Sequence, residues 1–136
     1  MRPLVADTFY WISLTNPEDA THEQATVFAA FAQRSAIVTA EEVLAEFLTF
    51  FSGRGSFWRA KAVSITRSIL ANTSVRVLPP THETFQAGLD FYAARPDKGY
   101  NLTDCISMQT MSRHGITDVL TDDHHFEQEG FRALFR

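Results

Sequence analysis

The sequence predicts an α/β protein, a three-layer α/β/α sandwich around a mostly parallel central sheet of about five strands. Short apolar runs alternate with longer segments of helical periodicity: Leu4-Val5-Ala6, Ala36-Ile37-Val38, Val75-Arg76-Val77-Leu78, Val119-Leu120 and Phe131 to Leu134. Connections of helical length between such runs are crossovers, which join parallel strands and cover both faces of the sheet. The 136 residues, 45% hydrophobic, suffice for a core without metal or disulfide staples and suit one domain, residues 1–136.

Leu4-Val5-Ala6 reads as a buried strand, leading through Asp7-Thr8 into a short helix with Phe9, Trp11, Ile12 and Leu14 that Asn16-Pro17 ends. Asp19 to Arg34 is the next helix. After the second strand, Thr39 with Glu42 forms a capping box, opening a helix with Val43, Phe47, Phe50 and Phe51 at helical spacing. Gly53-Arg54-Gly55 breaks the chain, and Ser56 caps a helix whose Trp58, Ala62, Ile65 and Ile69 share a face. Pro79-Pro80 closes the third strand, and Thr81 to Ala94 is helical through Phe85, Leu89 and Tyr92. A polar loop, Arg95 to Asn101, precedes a helix capped by Thr103 and ended by Gly115.

Twelve basic and sixteen acidic residues give a net charge of −4, so an RNA or DNA partner is not bound by a uniformly cationic body. The charge is uneven. From Phe47 to His82 there is no acid, and Arg54, Arg59, Lys61, Arg67 and Arg76 lie within that stretch. It reads either as the solvated face of a helix or as a basic rim, chiefly Arg54, Arg59, Lys61 and Arg67, facing phosphates or an acidic partner. Cys105 is the one cysteine, no apolar run approaches the ~20 residues of a spanning helix, and no leader is recognisable, so a cytoplasmic protein without membrane association is expected.

Open parallel sheets bind ligands beyond the carboxyl ends of their strands. Asp7 follows the first strand, Asp122 and Asp123 follow Val119-Leu120, and Asp104 lies in the first turn of its helix. Glu46 falls about 40° around the helix from Phe50, beside the apolar stripe, so it points toward the sheet. Each acid alone has an ordinary explanation as a cap, a dipole partner or a boundary carboxylate. Gathered at one sheet edge, they would raise one another's pKa unless a cation lay among them. All-oxygen ligands suit Mg2+ or Mn2+, the ions of phosphate-ester chemistry.

At these residues the sequence resembles a known family. Val5-Ala6-Asp7-Thr8, Val43-Leu44-Ala45-Glu46-Phe47-Leu48, Leu102-Thr103-Asp104-Cys105 and Thr121-Asp122-Asp123-His124-His125-Phe126 look like the four acidic motifs of PIN-domain ribonucleases, with the VapC-type toxins of bacterial toxin–antitoxin modules the best match. The resemblance runs over nearly the whole chain, and its last motif, Thr-x-Asp-x-x-Phe, selects Asp123 over Asp122. It implies that Asp7, Glu46, Asp104 and Asp123 hold one or two Mg2+ or Mn2+ ions in an RNA-cleaving domain, with an antitoxin as inhibitor and a homodimer as the usual assembly. The sequence departs from the family at Phe9, where many members have a small polar residue. Asp97-Lys98 also resembles a family feature, which would bring Lys98 toward the scissile phosphate.

Metal-activated water would then hydrolyse the phosphodiester to a 5′-phosphate and a 3′-hydroxyl. Thr8, Thr103 and Thr121 adjoin three of the acids, either as hydroxyl contacts to them or as helix caps, and Asp122 joins them as a neighbouring polar group. The charge without these four acids is zero, so the apo-protein's sign does not exclude RNA. His124-His125 supports a competing, metal-free mechanism on the RNA 2′-hydroxyl, weakened because neighbouring side chains should diverge and no third group is evident to orient them. Cys105, on an apolar helix face, reads as packing rather than as a thiol nucleophile. No Gly-x-x-x-x-Gly-Lys is present, Gly53-x-Gly55 lacks a third glycine, and Phe9 stands where a phosphoaspartate phosphatase carries its second Asp. A solitary RNA-processing nuclease and a non-catalytic α/β binding or regulatory domain remain the alternatives. Phe47, Phe50, Phe51, Phe57 and Trp58 read mainly as core, the remainder lining an apolar groove for an amphipathic antitoxin segment.

Overall fold

The computed structural model describes residues 2–31 and 36–136. In chain order the elements are β1 (Leu4–Ala6), α1 (Thr8–Thr15), α2 (His22–Phe31), β2 (Ile37–Ala40), α3 (Glu41–Phe51), α4 (Ser56–Ala71) and β3 (Val75–Leu78). There follow α5 (His82–Ala94), α6 (Leu102–His114), β4 (Asp118–Leu120), α7 (His124–Gln128) and β5 (Arg132–Ala133). The five strands form one sheet in the order β3-β2-β1-β4-β5, and every neighbouring pair is parallel. The three-layer α/β/α architecture expected from the sequence is the one observed, with the sheet parallel throughout.

Alternation along the strands divides the interior. Leu4 and Ala6 of β1 and Leu120 of β4 join the cluster under α1 to α4, with Tyr10, Trp11, Val43, Phe47 and Phe51. Val5 and Val119 point the other way, into the cluster with Cys105, Met108 and Met111 of α6 and Phe126 of α7. Full burial of a side chain such as Phe47 contributes up to about 3 kcal/mol. Helix α6 lies between the sheet and α5, and Gly88 of α5 permits this close approach, because a Cβ there would come 2.5 Å from Ile106 Cγ1. Gly115 ends α6 with φ +65°, a left-handed conformation that glycine adopts without steric cost.

Three expected caps are corrected. Thr39 does not cap α3: it lies within β2, where its hydroxyl donates to the Ala6 carbonyl (3.0 Å) and accepts from Trp11 Nε1 (3.3 Å). The position before α3 is Ala40, without a side-chain cap. Ser56 is the first helical residue of α4, and Gly55 precedes it with φ +94°. Thr103 lies inside α6, and Asn101 caps that helix, because its amide oxygen reaches the Asp104 N–H at 2.7 Å.

The expected helix from Asp19 starts later, at His22. Asp19 Oδ1 instead accepts from the Thr21 N–H (3.0 Å) and hydroxyl (2.6 Å), forming a turn. The expected end of that helix at Arg34 lies outside the described residues. The last strand shortens to Arg132–Ala133.

The sheet order fixes where a ligand can sit. From β1 the chain builds outward through β2 and β3, then crosses back to place β4 on the other side of β1. The loops leaving β1 and β4 therefore separate at their carboxyl ends, which opens a crevice at the switch point. Asp7 leaves β1 there, and Thr121, Asp122 and Asp123 leave β4.

Candidate active site

Four carboxylates converge around this crevice, each oriented by a donor on another element or on its own helix cap. Asp7 is buried just beyond β1, and its Oδ2 accepts from the Thr121 hydroxyl at 2.9 Å. The Thr121 oxygen also accepts from the Asp123 backbone N–H at 3.2 Å, so one hydroxyl joins the loops after β1 and β4. Glu46, one turn into α3, accepts from the Thr8 hydroxyl of α1 at 2.6 Å. Asp104 Oδ2 accepts from the Asn101 N–H at 3.1 Å in a reciprocal capping box. Asp123 caps α7 by accepting from the His125 N–H at 2.9 Å.

The electrostatics tie the acids to one another. Asp7 is pushed up from 3.8 to about 7, first by loss of hydration, then by repulsion from Asp104, with a smaller contribution from Glu46; the Thr121 hydrogen bond opposes these. Asp104 rises to about 6, chiefly through burial, with Asp123 and Glu46 also raising it and the Asn101 hydrogen bond opposing. Like charges that shift one another face a common space. No hydrogen bond from the described residues reaches the second carboxylate oxygen of Glu46, Asp104 or Asp123. These oxygens are available to a cation, and an all-carboxylate donor set fits Mg2+ or Mn2+. The four acids are more widely spaced than a closed metal cage. Among the described residues, the ligand atoms that cluster within 4.8 Å of one another belong to Asp123, His124 and His125.

The other residues singled out in the sequence divide by position. Thr8 and Thr121 each donate to an acid of another motif, Glu46 and Asp7, rather than to the acid of their own. Thr103 shows no side-chain hydrogen bond among the described residues, and Asp122 is exposed, its carboxyl raised by partial burial and by Asp123 beside it. Lys98 is exposed on the loop before α6, with Nζ 3.8 Å from Asp97 Oδ2. Phe9, the departure from the family pattern, packs on Phe135 with ring centroids 5.7 Å apart, and Asp7 takes its side-chain hydrogen bond from Thr121 instead.

Arg59 and Arg67 line an open groove of about 950 Å3 between α3 and α4, with Leu48, Thr49 and Val63; none of the four acids lines it. Arg54 lies over the Phe50 ring at 4.1 Å, and neither Arg54 nor Lys61 lines that groove. Of the aromatic cluster, Phe47 and Phe51 are core, Trp58 stacks on Phe51 at 5.2 Å, and Phe50 and Phe57 are exposed.

One network was missed in the sequence. Arg95 grips Glu129 with two bonds (3.0 and 3.1 Å), and Glu129 Oε2 accepts from the Tyr100 hydroxyl at 2.8 Å. Tyr100 then meets the His125 ring edge-on at 5.3 Å. The two histidine rings do not diverge: their centroids are 4.5 Å apart, tilted by 43°. The Asn-x-x-Asp spacing of Asn101 and Asp104 was the readable sign of the true cap.

A parallel sheet carrying carboxylates at its switch point places the chain among the open α/β domains with an acidic crevice, and comparison with known proteins identifies the family. The model of the PIN domain family matches residues 4–131, and the chain belongs to that family. Among solved structures it is similar to Mycobacterium tuberculosis VapC20, described as a sarcin–ricin loop cleaving toxin: 26% identity, 94% of this chain and 95% of that chain covered, TM-score 0.83. It shares its fold with VapBC2 from Rickettsia felis, solved bound to a DNA fragment from their promoter (13% identity, 96% of each chain covered, TM-score 0.67). FitAcB from Neisseria gonorrhoeae shares it too (15% identity, 96% of this chain and 95% of that chain covered, TM-score 0.66). No curated protein matches by sequence. No helix among the described residues is long and apolar enough to cross a membrane.

Proposed function

We propose that this chain, taken as one PIN domain, is an endoribonuclease that hydrolyses RNA phosphodiester bonds with Mg2+ or Mn2+ held by Asp7, Glu46, Asp104 and Asp123. The convergence of these carboxylates at the switch point, with Asp7 and Asp104 raised toward neutrality, carries the reading. When bound there, a divalent cation polarises a phosphate oxygen and lowers the pKa of a water, giving 5′-phosphate and 3′-hydroxyl products. Thr8 holds Glu46, Thr121 holds Asp7, and Asn101 holds Asp104, so these three acids are oriented before an ion arrives. Lys98 and the α3–α4 arginines supply positive charge for the RNA backbone.

The likeness to VapC20 supports the role of a toxin, to which we assign a cytoplasmic location, and makes a sarcin–ricin hairpin the first substrate to test. The two-part names of VapBC2 and FitAcB support a protein partner, for which we assign an antitoxin. A homodimer is the assembly we assign to the free chain. The test is cleavage of that hairpin RNA with Mn2+ or Mg2+, with EDTA, and by Glu46→Gln and Asp104→Asn. Each variant is expected to lose at least about 100-fold in rate while keeping its fold by near-UV circular dichroism. Cleavage retained in both variants sinks the proposal, and cleavage that survives EDTA turns it toward His124 and His125.

A further inference from the structure

We propose that Asp123, His124 and His125 form a site for a nitrogen-preferring transition metal of the Zn2+ class. The site shares Asp123 with the acids above but does not depend on the chain being a nuclease. One ligand atom from each of the three residues lies within 4.8 Å of the others. His125 Nδ1 is 3.1 Å and His124 Nδ1 3.7 Å from Asp123 Oδ1. In a four-coordinate ion with bonds of roughly 2.0–2.1 Å, neighbouring ligand atoms lie about 3.3 Å apart, a length these two distances bracket. An octahedral Mg2+ would need about 2.9 Å.

The second observation is an orphaned atom. His125 Nδ1 is buried, and it is the one buried side-chain nitrogen or oxygen among the described residues with no hydrogen-bond partner. Its approach to Asp123 Oδ1 is off the hydrogen-bond direction. A buried polar atom without a partner is costly unless something occupies its lone pair, and a cation between Nδ1 and the carboxylate does so.

The ring is also held in place. Tyr100 meets it at 5.3 Å and is anchored through Glu129 to Arg95. The loop also lies against the ring, since a Cβ at Gly99 would stand 3.4 Å from His125 Nε2, an ordinary van der Waals contact. Two imidazoles with one carboxylate select Zn2+, Co2+ or Ni2+ over Mg2+ and leave a fourth position for water.

Titrating the full chain with Co2+ while recording visible absorption tests the site. One equivalent is expected to produce the intense bands of a four-coordinate ion; Zn2+ should abolish them, and a large excess of Mg2+ should not. The His124 side chain is 55% exposed, so His124→Ala and the better-matched His124→Gln should melt like the wild type in chelator yet bind Co2+ at least about tenfold more weakly. No visible band, displacement by Mg2+, or unchanged affinity in both variants overturns the proposal. Running RNA cleavage beside it separates the two readings. Bands without cleavage support this site against the nuclease, and cleavage without bands sinks this site alone.

Discussion

Asp7→Asn tests whether the acid cluster is under electrostatic strain when no cation is present. Burial and Asp104 raise Asp7 from 3.8 to about 7. At about 1.36 kcal/mol per pH unit, ionising it in the folded state at pH 8 costs up to about 4 kcal/mol relative to the unfolded chain. The folded state binds the proton more tightly than the unfolded one. Stability is therefore fully present below about pH 4 for this group and is lost as the pH rises through about 7. Asparagine matches the carboxylate in shape, and its oxygen still accepts from Thr121.

In EDTA at pH 8, the variant should gain about 2–4 kcal/mol, or roughly 6–12 °C in Tm, while at pH 4 the two proteins should agree within about 1 kcal/mol. Urea unfolding followed by the fluorescence of Trp11 and Trp58 reads both. Mn2+ should then stabilise the wild type much more than the variant, since ligands stabilise the state that binds them. A variant no more stable than wild type at pH 8, or one equally stabilised at both pH values, would refute the argument.

Thr8→Val removes the donor that holds Glu46 without changing side-chain shape; RNA cleavage should fall about tenfold with little change in Tm, and unaltered cleavage would leave Thr8 without a positioning role. Arg132 forms two 2.9 Å bonds to buried Asp118 across β4 and β5. Arg132→Ala strands that carboxylate, so Tm should drop by a few degrees with cleavage intact, and adding Asp118→Asn should restore much of the loss. If the second substitution rescues nothing, the ion pair is not the cause.

Much of this architecture was legible because its signals are local. Leu4-Val5-Ala6 and the residues around Val119-Leu120 are buried on both faces and so read as continuous apolar runs. Asp7 and Asp123 closely follow those strands, and that position alone places them beyond the carboxyl ends of the sheet. The caps were less legible because a hydroxyl beside a helix start has several possible acceptors. Thr39 satisfies the sheet instead of the helix, since Ala6 and Trp11 lie within its reach only after β1 and α1 have packed. The contact of His125 with Tyr100, itself held by Glu129, joins residues far apart in sequence, and no periodicity carries that relation. Phe50 and Phe51 are adjacent and equally apolar, yet only Phe51 is buried, a difference of helical phase that the run of aromatics obscured.

The Thr121 hydroxyl that binds Asp7 joins residues 114 positions apart. A growing polypeptide makes Asp7 and Glu46 long before Thr121, the residue that holds Asp7. A chain stopped ahead of β4 has the central strand β1 paired on one side only and lacks Asp123 altogether. During translation the cluster therefore forms only at a late stage, when Thr121 and Asp123 have left the ribosome.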